Sequence, residues 1–91
     1  MNENSALFIQ QTDSLTMYQL NFLHAISDGV NAGLARTDIR EQYQLGVYSN
    51  VARIKNALVE KELIEIEKGN IIRFADPVFA IWLDKNKRQL L

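Results

Sequence analysis

One histidine, His24, lies close to Ser27 and Asp28, and these are the residue types of a hydrolytic triad. A triad needs three side chains that converge on one point, which near neighbours on a single helix do not do. The chain has no cysteine, so Cys–His pairs and thiolate metal sites are excluded. Its carboxylates are scattered without metal-ligand spacing. We therefore expect no catalytic residue, cofactor or metal in this chain.

A second chemistry to consider is nucleic-acid recognition. Arg53 can pair with guanine and Asn56 with adenine along the major groove, and other polar or basic side chains can hold the phosphate backbone. The candidate contacts with double-stranded DNA are Arg36, Arg40, Ser49, Asn50, Arg53, Asn56 and Lys68. Glu60 opposes this interpretation because helical spacing places it on the same outward face as Arg53, where it repels phosphate.

The overall charge also limits the DNA interpretation. The net charge is −1 and the isoelectric point is about 5.7, whereas domains that mainly grip phosphates carry a positive excess. No apolar run reaches the length needed to cross a bilayer, and the first residues lack a secretory signal pattern. We expect a cytoplasmic protein without a membrane partner.

Local signals predict the first long helix. Thr16 and Gln19 form a capping box, and Gly29 is a plausible stop, so a helix is expected over Met17–Asp28. Helical spacing places one set of residues toward the core: Phe22, Leu23, Ile26 and Val30. Another face carries a candidate docking patch of Met17, Leu20 and His24.

Two further helices are expected from Thr37 to near Gly46 and after Ser49, which is a good N-cap. Glycine at the bend between two helices is typical of a helix-turn-helix. In the third helix the inward residues are Val51, Ile54 and Leu58, and the outward ones are Ala52, Arg53, Asn56 and Glu60.

A hairpin follows. Residues 64–67 alternate apolar and acidic side chains, as a half-buried strand does. A three-residue loop over 68–70 places Ile66 opposite Ile72, Ile64 opposite Phe74, and Glu65 opposite Arg73. The alternative two-residue loop would turn Arg73 onto the apolar face, because one residue of slip reverses the faces of a strand.

A last helix opens with Asp76 as N-cap and Pro77 at the first helical position. Its apolar stripe is expected to comprise Val78, Phe79, Trp82 and Leu83, with Trp82 largely buried. The order of elements predicts an α+β fold, a winged helix-turn-helix of three helices plus a β-hairpin wing, with an added C-terminal helix. This domain is expected over residues 15–91.

Residues 1–14 are predicted to be an N-terminal arm or linker. The cluster Leu7-Phe8-Ile9 within it is expected to form an edge strand, or an arm that packs on the body or on a neighbour. With Ile81 and Leu90-Leu91 it makes an apolar surplus, which on a small domain often marks a contact surface.

Several segments, taken together in their order and spacing, carry a resemblance to one known family: 15–29, Tyr43-Gln44-Leu45-Gly46, 50–55, 58–64, Asp76-Pro77-Val78-Phe79 and Trp82-Leu83. They resemble the C-terminal winged-helix domain of prokaryotic P-loop ATPases of the AAA type, in its archaeal and Bacteroides-type forms. The resemblance extends over nearly all of the chain from Leu7 onward.

The resemblance implies a non-catalytic domain that docks on an ATPase domain in cis or on a protein partner, and it leaves open whether the domain also contacts DNA. ATP and Mg²⁺ are then expected only in the missing ATPase domain, because the chain has no phosphate-binding loop of the G-x-x-x-x-G-K-[ST] type. The alternative is a free-standing winged-helix transcriptional regulator that binds DNA. Whether the chain is a fragment or a stand-alone relative stays open, as do the partner and the oligomeric state.

Overall fold

The computed structural model describes the backbone of residues 5–90 and the side chains of residues 6–86. The elements in chain order are α1 (Ser5–Asp13), α2 (Met17–Ser27), α3 (Thr37–Tyr43), α4 (Tyr48–Glu60), β1 (Ile64–Glu67), β2 (Ile71–Phe74) and α5 (Pro77–Leu90). From α2 onward this is the predicted order of three helices, a hairpin and a final helix, so the α+β fold class is confirmed. The predicted apolar residues Leu90 and Leu91 lie outside the described side chains.

The N-terminal segment is an α-helix, so the edge strand predicted for Leu7-Phe8-Ile9 is wrong. Phe8 is buried in the core, while Leu7 and Ile9 are about half exposed. The alternative prediction of an arm that packs on the body describes α1 better. A short helix is marginal alone, but here Phe8 packs against rings of α5, and that tertiary contact stabilises the helical form.

Helix α2 begins as its sequence predicts. The Thr16 hydroxyl accepts a hydrogen bond from the Gln19 amide at 3.1 Å, and the Gln19 side-chain oxygen accepts one from the Thr16 amide at 3.0 Å. The helix ends at Ser27, and Gly29 follows with φ +102°, a conformation that glycine adopts without strain. Phe22, Leu23 and Ile26 are buried as predicted.

Replacing Thr16 by alanine is expected to lower the free energy of unfolding by about 0.5–2 kcal/mol, because the start of α2 loses its cap. Urea denaturation followed by circular dichroism measures the change. Thr16→Ser retains the hydroxyl and serves as the control. Equal stability of the alanine and serine variants would show that the cap contributes nothing.

The hairpin has the predicted register. Ile64 faces Phe74, Glu65 faces Arg73 and Ile66 faces Ile72 across a three-residue loop. Arg73 makes its ion pair diagonally, with Glu67 at 2.8 Å. One backbone bond from the amide of Ile72 to the carbonyl of residue 31, at 2.8 Å, joins the α2–α3 connection to the sheet. Ile66 is 39% exposed because it lies near the free end of the ribbon, beyond the core.

Helix α5 closes the core. The Asp76 carboxylate accepts a hydrogen bond from the Val78 amide at 2.9 Å, which confirms the predicted cap. Phe79 and Leu83 are fully buried and Trp82 is largely buried against the core, as predicted, whereas Val78 is 50% exposed. The predicted burial of Val78 is therefore wrong. Val78 lies at the margin of a buried face that is centred on Phe79 and Leu83.

Four aromatic rings bring α1, β2 and α5 together. The ring centroids of Phe8 and Phe79 are 5.2 Å apart in an edge-to-face contact, and Phe8 lies 5.5 Å from Trp82. Phe74 approaches Phe79 at 5.9 Å. Such pairs stabilise beyond the area that they bury. Within the described residues, no helix is long and apolar enough to cross a bilayer.

Candidate binding surface

Helix α4 has a buried face and an exposed face, as its spacing predicts. Val51, Ile54 and Leu58 are buried in the core. The exposed residues of the helix include Ala52, Arg53, Asn56 and Glu60. This arrangement presents Arg53 and Asn56 to the surroundings together with the Glu60 carboxylate, so the exposed face carries both signs of charge.

The start of α4 differs from the prediction. The N-cap is Val47, with extended backbone at φ −77° and ψ 165°, and not Ser49, which lies within the first turn and is exposed. Leu45 is fully buried, and the Asn50 side chain donates a hydrogen bond to the carbonyl of Leu45 at 3.0 Å. These tertiary contacts fix the chain ahead of the helix, so the helix begins earlier than the capping preference of serine indicates.

Arg40 holds the turn between α3 and α4. Its guanidinium donates hydrogen bonds to the carbonyl of Ala35 at 2.9 Å, the hydroxyl of Thr37 at 3.2 Å and the carbonyl of Gly46 at 3.3 Å. The side chain is half-buried. Contact with a phosphate would compete with these bonds. Arg40 and Asn50 therefore stabilise the turn through hydrogen bonds within the domain. Their predicted contacts with DNA stay predictions.

The remaining predicted DNA contacts lie at the surface. Arg36 pairs with Asp38 at 3.1 Å, but both side chains are well exposed, so the pair adds little stability. Lys68 is exposed in the loop of the hairpin. Arg53 makes no ion pair within 4.0 Å among the described residues. The structure thus leaves a smaller set of available cations than the sequence indicates.

The docking patch predicted on α2 is not a surface. Met17 is 62% exposed, but Leu20 and His24 are only 8% and 6% exposed. Helix α2 packs against α3, α4, α5 and β2, so it is covered on more than one side. The helical period separates two faces of α2 correctly, yet it does not reveal that neighbours cover both.

Large apolar side chains are instead exposed around the bend between α3 and α4. Val47 and Tyr48 follow Gly46 directly and are 67% and 70% exposed, and Tyr18 is 48% exposed. A Cβ atom at Gly46 would lie 3.4 Å from the Tyr18 ring, so the start of α2 adjoins this bend. We call Met17, Tyr18, Val47 and Tyr48 the turn patch. The apolar pair after Gly46 was the sequence signal for it.

A family model described as "Probable winged helix domain" matches residues 6–85. The chain belongs to this family. No curated protein and no solved structure matches the chain. The match confirms the winged-helix part of the resemblance, and it contains no link to an ATPase.

In the winged helix domain, α3 and α4 form the helix-turn-helix and the β1–β2 loop forms the wing. Winged helix domains commonly bind DNA or proteins, which gives this chain a binding role in general terms.

The segment 36–61 has a modest basic excess of five basic residues (36, 40, 53, 55 and 61) over three acidic ones (38, 41 and 60). Within the described residues, no group of three or more His, Asp or Glu side chains has a geometry suited to metal binding.

Proposed function

We propose that this winged helix domain is a non-catalytic docking module that binds a protein through the turn patch. The observation that carries the proposal is the exposure of four large apolar side chains, two at the start of α4 and two at the start of α2, which adjoins the bend between α3 and α4. Exposed apolar surface of this kind marks interaction sites, and aromatic residues are enriched in the cores of interfaces.

The more specific form of the proposal names the partner. The resemblance to the C-terminal domain of P-loop ATPases, together with the lack of a phosphate-binding loop in this chain, supports docking on an ATPase domain in cis. The ATP and Mg²⁺ would then be bound by that other domain. The isolated chain is accordingly expected to show no binding of Mg·ATP in calorimetry, and micromolar affinity would contradict the proposal.

Docking is tested first in the gene context, where we expect an upstream reading frame that is continuous with this chain and carries a phosphate-binding loop. The ATPase domain that such a frame encodes is then mixed with the isotope-labelled winged helix domain, and amide shifts are followed by NMR. The signals of Val47 and Tyr48 are expected to change, and Val47→Asp is expected to weaken binding at least about tenfold. Ile81→Asp alters an equally accessible apolar side chain on α5, 57% exposed, and is the matched control.

Two results would contradict the proposed docking. One is an upstream frame without a phosphate-binding loop, which removes the ATPase partner. The other is equal loss of binding by Val47→Asp and Ile81→Asp, which would remove the turn patch as the site.

A second candidate function is binding of duplex DNA, favoured by the exposure of Arg53 and Asn56 on α4. It predicts salt-dependent binding to duplex DNA. Replacing Arg53 by alanine is then expected to weaken binding by about 1–3 kcal/mol and to relax the preference at one base. Fluorescence anisotropy with labelled duplexes measures this, and Lys85→Ala, which removes the same charge from the exposed surface of α5, is the control. Undetectable affinity for random duplex at low salt would eliminate the DNA function.

A further inference from the structure

One side of α4 carries a largely apolar stripe that runs from the first turn of the helix to its last. Helical spacing of about 100° per residue places the members of this stripe within about 60° of one another: Tyr48, Ala52, Lys55 and Val59. Tyr48 is 70% exposed and Val59 is 39% exposed, and Ala52 is exposed as well. We call these four residues the α4 stripe. Its three apolar side chains are accessible to a partner without any change in the fold.

The spacing of the α4 stripe suits a second helix. Its members follow one another at intervals of four, three and four residues, which is the spacing of the seam between two helices that pack side by side. The stripe is about 16 Å long, because the rise of a helix is about 1.5 Å per residue from Tyr48 to Val59. Arg53 and Glu60 lie at least about 100° from its centre. A helix on the stripe therefore leaves these two charges at the edge of the contact.

Lys55 determines which kind of helix fits. It is half-buried in the middle of the stripe, and no ion pair within 4.0 Å joins it to another described side chain. A partner that covers the stripe also covers this ammonium group, and a charge that is removed from water needs a counter-charge. The complementary helix therefore carries a carboxylate opposite Lys55.

The same lysine disfavours a second copy of this chain as the partner. Lys55 lies close to the midpoint between Tyr48 and Val59. Two α4 stripes that pack on each other, parallel or antiparallel, thus bring both Lys55 ammonium groups to the same part of the seam. Like charges that face each other across an interface weaken association. Charge complementarity favours a different protein with an acidic residue at this point.

We propose that the α4 stripe binds an amphipathic helix of the partner protein. Its apolar side chains pack against Tyr48, Ala52 and Val59, and a glutamate or aspartate in the middle of its apolar face pairs with Lys55. Binding of this helix rests on the proposed docking function, because Tyr48 belongs to both the turn patch and the α4 stripe. The turn patch then forms one end of a longer contact that runs along α4.

Synthetic helical peptides are the probe. The glutamate peptide is a labelled, alanine-based helix of about 18 residues, long enough to be helical alone, with leucine at the spacing of the stripe and one glutamate beside its middle. Fluorescence anisotropy is expected to give a Kd on the order of 100 µM, since only one face of a single helix is buried. The lysine peptide, with lysine in place of the glutamate, is expected to bind at least about tenfold more weakly. A peptide with a central proline, which breaks the helix, is expected not to bind.

Variants of α4 locate the contact. Ala52→Glu adds bulk and a negative charge to the stripe and retains a good helix former, so it is expected to weaken binding of the glutamate peptide at least about tenfold at unchanged Tm. Arg53→Gln changes the net charge by the same amount at the next position, outside the stripe, and is expected to leave binding unchanged. Lys55→Glu is expected to reverse the preference, so that the lysine peptide binds more tightly than the glutamate peptide.

Three results would each overturn the proposed helix binding. They are no binding of the glutamate peptide up to about 1 mM, ten times the expected Kd, equal binding of the glutamate and lysine peptides, and equal loss of binding in Ala52→Glu and Arg53→Gln. If the domain instead dimerises or binds duplex DNA, binds no peptide, and loses that association in Ala52→Glu, the stripe belongs to that other occupant.

Failure of the helix binding is distinguishable from failure of the docking function. If the ATPase domain shifts the amide signals of Val47 and Tyr48 but not that of Val59, the helix binding is wrong and the docking function stands. If the ATPase domain does not bind while the glutamate peptide does, docking on the ATPase domain is wrong and the preference of the α4 stripe for an acidic helix stands.

Discussion

Replacing Phe79 by alanine is expected to lower the free energy of unfolding by about 3–5 kcal/mol. Phe79 is only 1% exposed, and the rings of Phe8, Phe74 and Trp82 lie within 6.0 Å of it, centroid to centroid. The substitution removes an aromatic ring from the core and leaves a cavity. Neighbouring side chains from α1, β2 and α5 fill this cavity only in part. Small domains have about 5–15 kcal/mol of stability in total, so the loss brings this chain close to unfolding.

Urea denaturation followed by far-UV circular dichroism measures the effect. Val78→Ala is the matched control, because Val78 is the preceding residue of the same helix but is 50% exposed. That control is expected to change stability by less than about 1 kcal/mol. Similar losses in the two variants would mean that Phe79 is not the centre of this contact.

A chain shortened to begin at Leu15 is expected to lose at least about 3 kcal/mol of stability, because it lacks Phe8. The same cut also uncovers Phe79 and Trp82. For a domain of this size the loss corresponds to a fall in Tm of at least roughly 12 °C. The cut follows the domain boundary predicted from the sequence, so it tests directly whether residues 1–14 are an arm or a necessary part of the fold.

Trp82 fluorescence provides a second readout for the shortened chain. The indole is expected to become more exposed, with its emission shifted to longer wavelength, once Phe8 no longer lies 5.5 Å away. Phe8→Ala in the full chain reproduces the loss of the ring without removing the helix. Unchanged stability and emission in the shortened chain would show that the domain folds independently from Leu15.

The binding surface was harder to predict than the elements that carry it. The spacing of α4 correctly placed Arg53 and Asn56 outward, since the helical period alone decides which face a residue shares. The same period could not show that Arg40 and Asn50 bond to carbonyls of the turn, or that Leu20 and His24 are covered by other helices. Those outcomes depend on residues that are distant in sequence or on the exact path of a loop.

The sequence by itself determined the features that depend on near neighbours. These are the capping box at Thr16, the cap at Asp76, the three-residue loop of the hairpin and its register. Each follows from side-chain hydrogen bonds or from alternation over a few residues. Only the tertiary structure decided that residues 5–13 form a helix, that Val78 is exposed, and that α4 begins before Ser49. For residues 5–13 a contact between distant segments outweighs a local preference, because burial of the Phe8 ring contributes more free energy than one propensity. The other two outcomes depend on which face of α5 the core covers and on the burial of Leu45 ahead of α4.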